Sequence, residues 1–349
     1  MFRIFIRQFL NLTSSFLLLC LFTFALSLIF FPDGLSFIVS NSNIDAHPEN
    51  LSQTSLSQLD SAQNIFSVSW HYIELFFIYL RNVFTGQLGV SITSGKEVFV
   101  EILNYLPASF ELAIVTIFLS LIIGLWLGTV AARNKNMWQD KVILSGTLIG
   151  YSLPIFWWAM LLVLSLSLWL GITPVAGQIG FEYDVERITG FLLIDSLYSP
   201  RYAIDAFISA VQHLILPVIV LGTIPLAIIT RVTRSSMIKA LSADYINNAI
   251  VRGIPISTIT WSHALRNALA PIITSLSLQV SSLITGAIIT ERIFAWPGAG
   301  KWLLDAVYRQ DFPVIHGGLL VTAGIVIFIY LALDFISMWL NPKLRDKSF

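Results

Sequence analysis

Six stretches of this chain, at about 9–31, 109–131, 142–170, 207–230, 268–290 and 312–334, are apolar and almost free of charge. A helix needs roughly 20 such residues to cross the hydrocarbon core, where backbone polar groups must be satisfied within the segment itself. The pattern therefore predicts an all-α, polytopic membrane protein with six transmembrane helices. Charged residues make up only 11% of the chain, against about a quarter in soluble domains. The uncharged run from Gln8 to Pro32 is longer than the apolar core of a cleavable leader, and no small-residue cleavage site follows it, so it reads as a retained first helix. Pro154, Pro217, Pro225 and Pro271 lie in or beside the spans, where neighbouring helices can satisfy the carbonyls they free.

Orientation follows from Lys and Arg. With both termini inside, the inner segments hold 13 of the 20, among them Arg133, Lys135, Arg231, Arg234, Arg252 and Arg266. The positive-inside rule then favours both termini in the cytoplasm. The expected organisation is a tail and first helix at 1–31, an outer loop at 32–108, a membrane core at 109–341 with a cytoplasmic loop at 231–267, and a tail at 342–349. Within the first outer loop, Ser40 to Asn64 is polar and reads as flexible, whereas Phe66 to Phe84 reads as an amphipathic helix lying on the membrane surface. A second outer loop carries Glu182, Asp184, Glu186, Asp195 and Asp205, a field that could attract cationic solutes or simply be an acid-rich loop.

Several chemistries leave no trace. There is no His-Glu-x-x-His metal motif and no Gly-x-Ser-x-Gly elbow, and Ser236-Met237-Ile238-Lys239 lacks the companion motifs of a Ser-x-x-Lys enzyme. The single Cys20 can form neither an intrachain disulfide nor a cysteine-pair metal site. Pro297-Gly298-Ala299-Gly300-Lys301-Trp302 looks like a phosphate loop, but Ala295 and Trp302 stand where that loop needs glycine and a hydroxyl. Ionisable groups near the spans are few: Glu111 and Asp334 at span ends, with His213 and His316 slightly deeper, all fitting interfacial or packing roles. With zero net charge and no basic field, no nucleic-acid partner is expected, and no catalytic residue, cofactor or metal is assigned. A membrane machine of this kind must draw its energy from a partner, from an ion gradient, or carry an intramembrane reaction.

Two segments look mechanical. In 244–271, two helical pieces meet at Gly253, which permits a left-handed turn, and Pro255 stops the first piece from continuing. In 290–307, Pro297-Gly298 favours a turn, and Trp302, Leu303, Ala306 and Val307 then mark one apolar helical face. On the fifth stretch, Ser275, Gln279, Ser282 and Gly286 form a polar, small-residue stripe that must face protein or a water-filled path.

Asp244-Tyr245-Ile246-Asn247-Asn248-Ala249-Ile250-Val251-Arg252-Gly253-Ile254 with His263-Ala264-Leu265-Arg266-Asn267, and Glu291-Arg292-Ile293-Phe294-Ala295-Trp296-Pro297-Gly298-Ala299-Gly300, carry a resemblance over nearly the whole chain. So does Gly86-Gln87-Leu88-Gly89-Val90-Ser91, followed by Leu106-Pro107-Ala108-Ser109-Phe110-Glu111. They resemble the inner-membrane permeases of dipeptide and oligopeptide ABC transporters, the OppB/DppB family, and among these the chain looks most like the permease of the Sap peptide-uptake system. The resemblance implies the type I importer permease (MetI-like) fold. It implies cargo of peptides, with cationic peptides, polyamines or haem as related substrates. It also implies a second homologous permease, two cytoplasmic ATPase subunits and a periplasmic binding protein as partners. By the same likeness, Asp244, Tyr245, Asn248, Ala249, Arg252, Gly253, Ile254 and His263 would couple to the ATPase. Glu291, Phe294, Trp296, Pro297, Gly298 and Gly300 would form an outer gate or path, and Ser275, Gln279 and Ser282 could line the path. The sequence departs from the family pattern at Asn247-Asn248-Ala249, where a Glu-Ala-Ala is usual, and at Gln87, where an acid is usual.

Overall fold

A computed structural model of the protein describes residues 2–30 and 65–340. The polar stretch Ser40 to Asn64, the tail 342–349 and the side chains of Ser282 and Asp334 lie outside the described residues. The elements in chain order are α1 (Phe2–Phe30), α2 (Ile65–Phe84), α3 (Val98–Arg133), α4 (Trp138–Ser152), α5 (Ile155–Trp169) and α6 (Leu192–Leu197). They continue with α7 (Ala203–Leu241), α8 (Asp244–Val251), α9 (Leu265–Ile293), α10 (Ala299–Arg309) and α11 (Phe312–Leu340). Four of these, within α1, α3, α7 and α11, are single helices long and apolar enough to cross a membrane.

The third expected span is not one rod. It is the pair α4 and α5, bent by 108° at Leu153-Pro154. Pro154 has no N–H to continue the helix and pushes the preceding residue out of the helical region, and Leu153 is accordingly extended (φ −83°, ψ 133°). The fifth expected stretch falls in α9, a 29-residue helix whose Ser, Thr and Gln residues make it less apolar than the others. By contrast α7 runs unbroken for 39 residues through both Pro217 and Pro225.

The chain divides into two compact units. In the first, 1–104 with 303–328, α2 packs on α1. Phe24 meets Phe76 edge-on at 5.3 Å, and the Tyr79 and Thr23 hydroxyls share a hydrogen bond of 2.9 Å. His316 Nε2 lies 3.2 Å from the Thr23 carbonyl, which can only accept, and 3.3 Å from the Tyr79 hydroxyl. Elsewhere in this unit the buried Asp311 carboxylate accepts from the Ser91 hydroxyl at 2.6 Å and from the Ile92 and Thr93 amides. The amphipathic helix expected at 66–84 is thus present as α2, with Leu75, Tyr79 and Asn82 buried on one side and Tyr72, Ile73 and Phe77 exposed on the other.

The second unit, 105–302 with 329–349, is organised around α7. A Cβ at Gly124 would collide with Ile229 and one at Gly128 with Thr233, so the two glycines let α3 lie directly on α7. Asp140, at the start of α4, is 2% exposed and grips Arg234 of α7 through two hydrogen bonds of 2.6 and 2.7 Å, while accepting a third from the Asn136 amide. A buried acid of this kind is stable only with its partner, and removing one side strands the other. Asp140→Ala should therefore destabilise the chain by about 3–5 kcal/mol, read as a lower thermal midpoint in detergent. An unchanged midpoint would show that the pair contributes nothing.

Candidate functional site

The elbow at 244–264 is built from three local choices. The helix α8 ends with the Gly253 amide donating to the Ile250 carbonyl (2.9 Å) and the Ile254 amide to the Ala249 carbonyl (3.2 Å). This is the Schellman termination, which needs a left-handed residue at Gly253, and its φ is +74°. Pro255 then caps a short turn, Ile256–Thr258, and a π-helical segment, Ile259–Ala264, leads straight into α9. Nothing lies within 4 Å of where a Gly253 side chain would start, so glycine is required there by backbone conformation and not by crowding.

Burial sorts the eight expected coupling residues into two faces. Ala249, with Ile246, is buried in a cluster that includes Ala132, Met237, Ile259, Ala264 and Ile272, and Ile254 packs against it. Asp244, Tyr245, Asn248, Arg252, Gly253 and His263 are exposed, as are the apolar Ile250, Val251 and Ile256 at the tip. The elbow is therefore keyed to α3, α7 and α9 through one face, leaving an outward face of mixed polar and apolar side chains. From Ile256 the helical backbone runs through the π-helical segment into α9, while the Gly253–Pro255 turn sets α8 apart from it.

The segment 290–301 folds into a tight knot. Glu291, 1% exposed, accepts from the Ser109 hydroxyl at 2.5 Å and from the Lys301 amide at 2.8 Å. Ser109 in turn accepts from the Ala299 amide, and the Trp296 indole donates to the Ala108 carbonyl at 2.9 Å. Ala295 is held at φ +50°, and the Phe294 carbonyl accepts from the Gly177 amide. The glycines fit this closure: a Cβ on Gly298 would overlap the Glu291 carboxyl, and one on Gly300 would meet Ile288 and the same carboxyl. The loop that resembles a phosphate cradle thus spends its amides on the chain's own carboxylate. Of the six expected gate residues, Glu291, Phe294, Trp296 and Gly298 are buried within this chain, and Pro297 and Gly300 are half-buried. Within this chain they hold the segment's shape. Among the path candidates, Gln279 is buried and Ser275 half-buried.

Sequence reasoning missed several ties. The Glu111 carboxylate accepts from the Leu193 amide at 2.6 Å and so anchors the short helix α6 to α3. In the acidic loop, Asp195 is 2% exposed and accepts from the Thr189 hydroxyl (2.6 Å) and the Thr189, Gly190 and Ile188 amides. Burial pushes its carboxyl up, but the Thr189 hydroxyl and those amides outweigh it and hold it below the usual carboxylate range. A lowered value means the stabilisation is present above the unfolded carboxyl's value of about 4 and is lost as pH falls through the folded one. Thermal midpoints should therefore separate wild type from Asp195→Asn at neutral pH and converge on acidification below about pH 4; a constant gap would refute this. The Gly124-x-x-x-Gly128 spacing in an apolar run was a readable signal for the α3–α7 contact, whereas nothing local marks Asp140 or Asp195 as structural or names the partner of Glu111.

The family model for "Binding-protein-dependent transport system inner membrane component" matches residues 124–346, a range that takes in both the elbow and the knot. The chain belongs to this family. It is a permease component of a transport system, a multi-pass protein of the inner membrane. Its relatives include the di/tripeptide transport system permease DppB of Pseudomonas aeruginosa, 44% identical over 77% of this chain and 80% of the relative. The dipeptide permease DppB of Haemophilus influenzae is 45% identical over 76% and 79%. The Escherichia coli SapB, named a putrescine export system permease, is 40% identical over 75% and 82%. The expected likeness to dipeptide and Sap permeases is thus present, and these two DppB permeases are more similar to the chain than SapB is.

Proposed function

We propose that this permease forms half of the translocation path of an ATP-driven peptide importer, with both termini in the cytoplasm and α9 among its spans. It works beside a second homologous permease, receives cargo from a periplasmic binding protein, and is driven by two cytoplasmic ATPase subunits that dock on the exposed face of the elbow. The elbow carries this reading: one face is fixed into the cluster around Met237 and Ile272, the other is exposed, and the π-helical joint leads directly into α9. The names of the dipeptide permeases support peptides as cargo. A single cysteine at Val251, 86% exposed at the tip, should crosslink to the ATPase subunit in native membranes, while one at Ile246 should not. Crosslinking only from the opposite membrane face would sink the proposal.

A preference for cationic cargo has one observation in its favour. Asp184 and Glu186 border a cleft of about 470 Å³ on the acidic loop, and both are exposed. Neutralising them together with Glu182 should weaken uptake of basic peptides at low salt and leave neutral peptides unaffected. Equal uptake of both would end this reading.

A further inference from the structure

Beside the elbow, a groove of about 640 Å³ opens between the end of α7 and the start of α9. Its polar lining consists of Lys239, Ser235, Ser236, Tyr245 and Asn267, over an apolar floor that includes Ala268 and Pro271, with the Ser235 hydroxyl already donating to the Val232 carbonyl. Among the described residues, Lys239 makes no ion pair, and the Ser236, Tyr245 and Asn267 side chains make no hydrogen bond. The groove thus presents a cation and three unused hydrogen-bonding groups able to donate, with no carboxylate among its lining residues. That is the chemistry of a site for an anion.

Its level in the molecule says which anion. The apolar stretch of α7 ends near residue 230 and that of α9 begins near 268, so the lining residues gather where both helices meet the membrane boundary. Ser236 and Lys239 lie roughly 9 and 14 Å further along α7 at 1.5 Å per residue. Side chains on a helix tilt toward its N-terminus, here back toward the bilayer, and a Lys stem lengthens that reach. An apolar floor beneath a cationic rim also fits a molecule with a charged head and an apolar body. We infer that this groove binds the phosphate headgroup of an anionic phospholipid, with Lys239 as the charge partner and Ser236, Tyr245 and Asn267 as donors. Basic pockets between membrane helices on the cytoplasmic side bind lipid heads in this way. The leaflet assignment rests on the orientation proposed above; the lipid site itself does not need it.

The test uses the full chain, purified with the subunits that accompany it, in phosphatidylcholine nanodiscs doped with photoactivatable phosphatidylglycerol. Label should map to the segments carrying 232–245 and 267–271. Unlabelled phosphatidylglycerol should compete for it, and neither phosphatidylcholine nor inorganic phosphate should. Labelling should fall about fivefold in Lys239→Gln and also fall in Ser236→Ala. Label elsewhere, equal competition by phosphatidylcholine, or unchanged labelling in Lys239→Gln would overturn the proposal. Competition by inorganic phosphate would make the groove a free-anion pocket and overturn the lipid assignment. Because labelling needs neither ATP nor transport, loss of uptake with labelling intact would count against the proposed function and not against this site.

Discussion

Gly253→Val is expected to leave the chain folded and in the membrane while reducing ATP-dependent uptake by more than about tenfold. The residue is held at φ +74° with open space around it, so the substitution introduces no clash and acts only through the backbone. A left-handed conformation costs a side-chain-bearing residue about 1–2 kcal/mol, and more for a β-branched one. The cheapest relief is to unwind the end of α8, which displaces Arg252 and the exposed tip but leaves Ile246 buried. A change of 1.4 kcal/mol in the population of the docking geometry is tenfold in productive encounters. Gly253→Asn supplies the control, since Asn tolerates this conformation and should retain most of the activity. Uptake lost equally in both variants would mean that something other than the turn is at stake.

The knot should respond in the opposite way, through stability. Glu291→Ala leaves the Ser109 hydroxyl and the Lys301 amide without their acceptor in a buried site, at about 1–3 kcal/mol each. Gly298→Ala drives a methyl group into the same carboxyl, and overpacking of this kind costs about 1–3 kcal/mol. Both variants should lower the thermal midpoint in detergent. The double variant should be less damaging than the sum, because removing the carboxyl makes room for the methyl group. Strict additivity would show that the two residues do not meet.

Much of this architecture is legible in the sequence because the membrane imposes it. Apolar length alone marks α1, α3, α7 and α11, and Gly253 followed by Pro255 announces the end of α8 before any coordinate is known. The bend at Leu153-Pro154 was harder to read, since apolar residues continue on both sides of it and a proline in a span is often tolerated, as Pro217 and Pro225 are in α7. The partners of Glu291 were hidden for a different reason. A charged residue beside an apparent loop reads as facing water or cargo, and only the fold brings Ser109, 182 residues earlier in the chain, into its first contact. Likewise the pairing of Asp140 with Arg234 spans 94 residues, and no periodicity within either helix encodes it.

The proposed role of the elbow as the lever for an engine on another subunit is tested most directly by reconstitution. The chain and its partner permease would be placed in vesicles with labelled dipeptide and binding protein on one side, with and without the ATPase subunits and ATP on the other. Accumulation should require the ATPase subunits, ATP and an intact elbow together, and should vanish in Gly253→Val. Accumulation by the permeases alone, driven by an imposed ion gradient, would contradict the account.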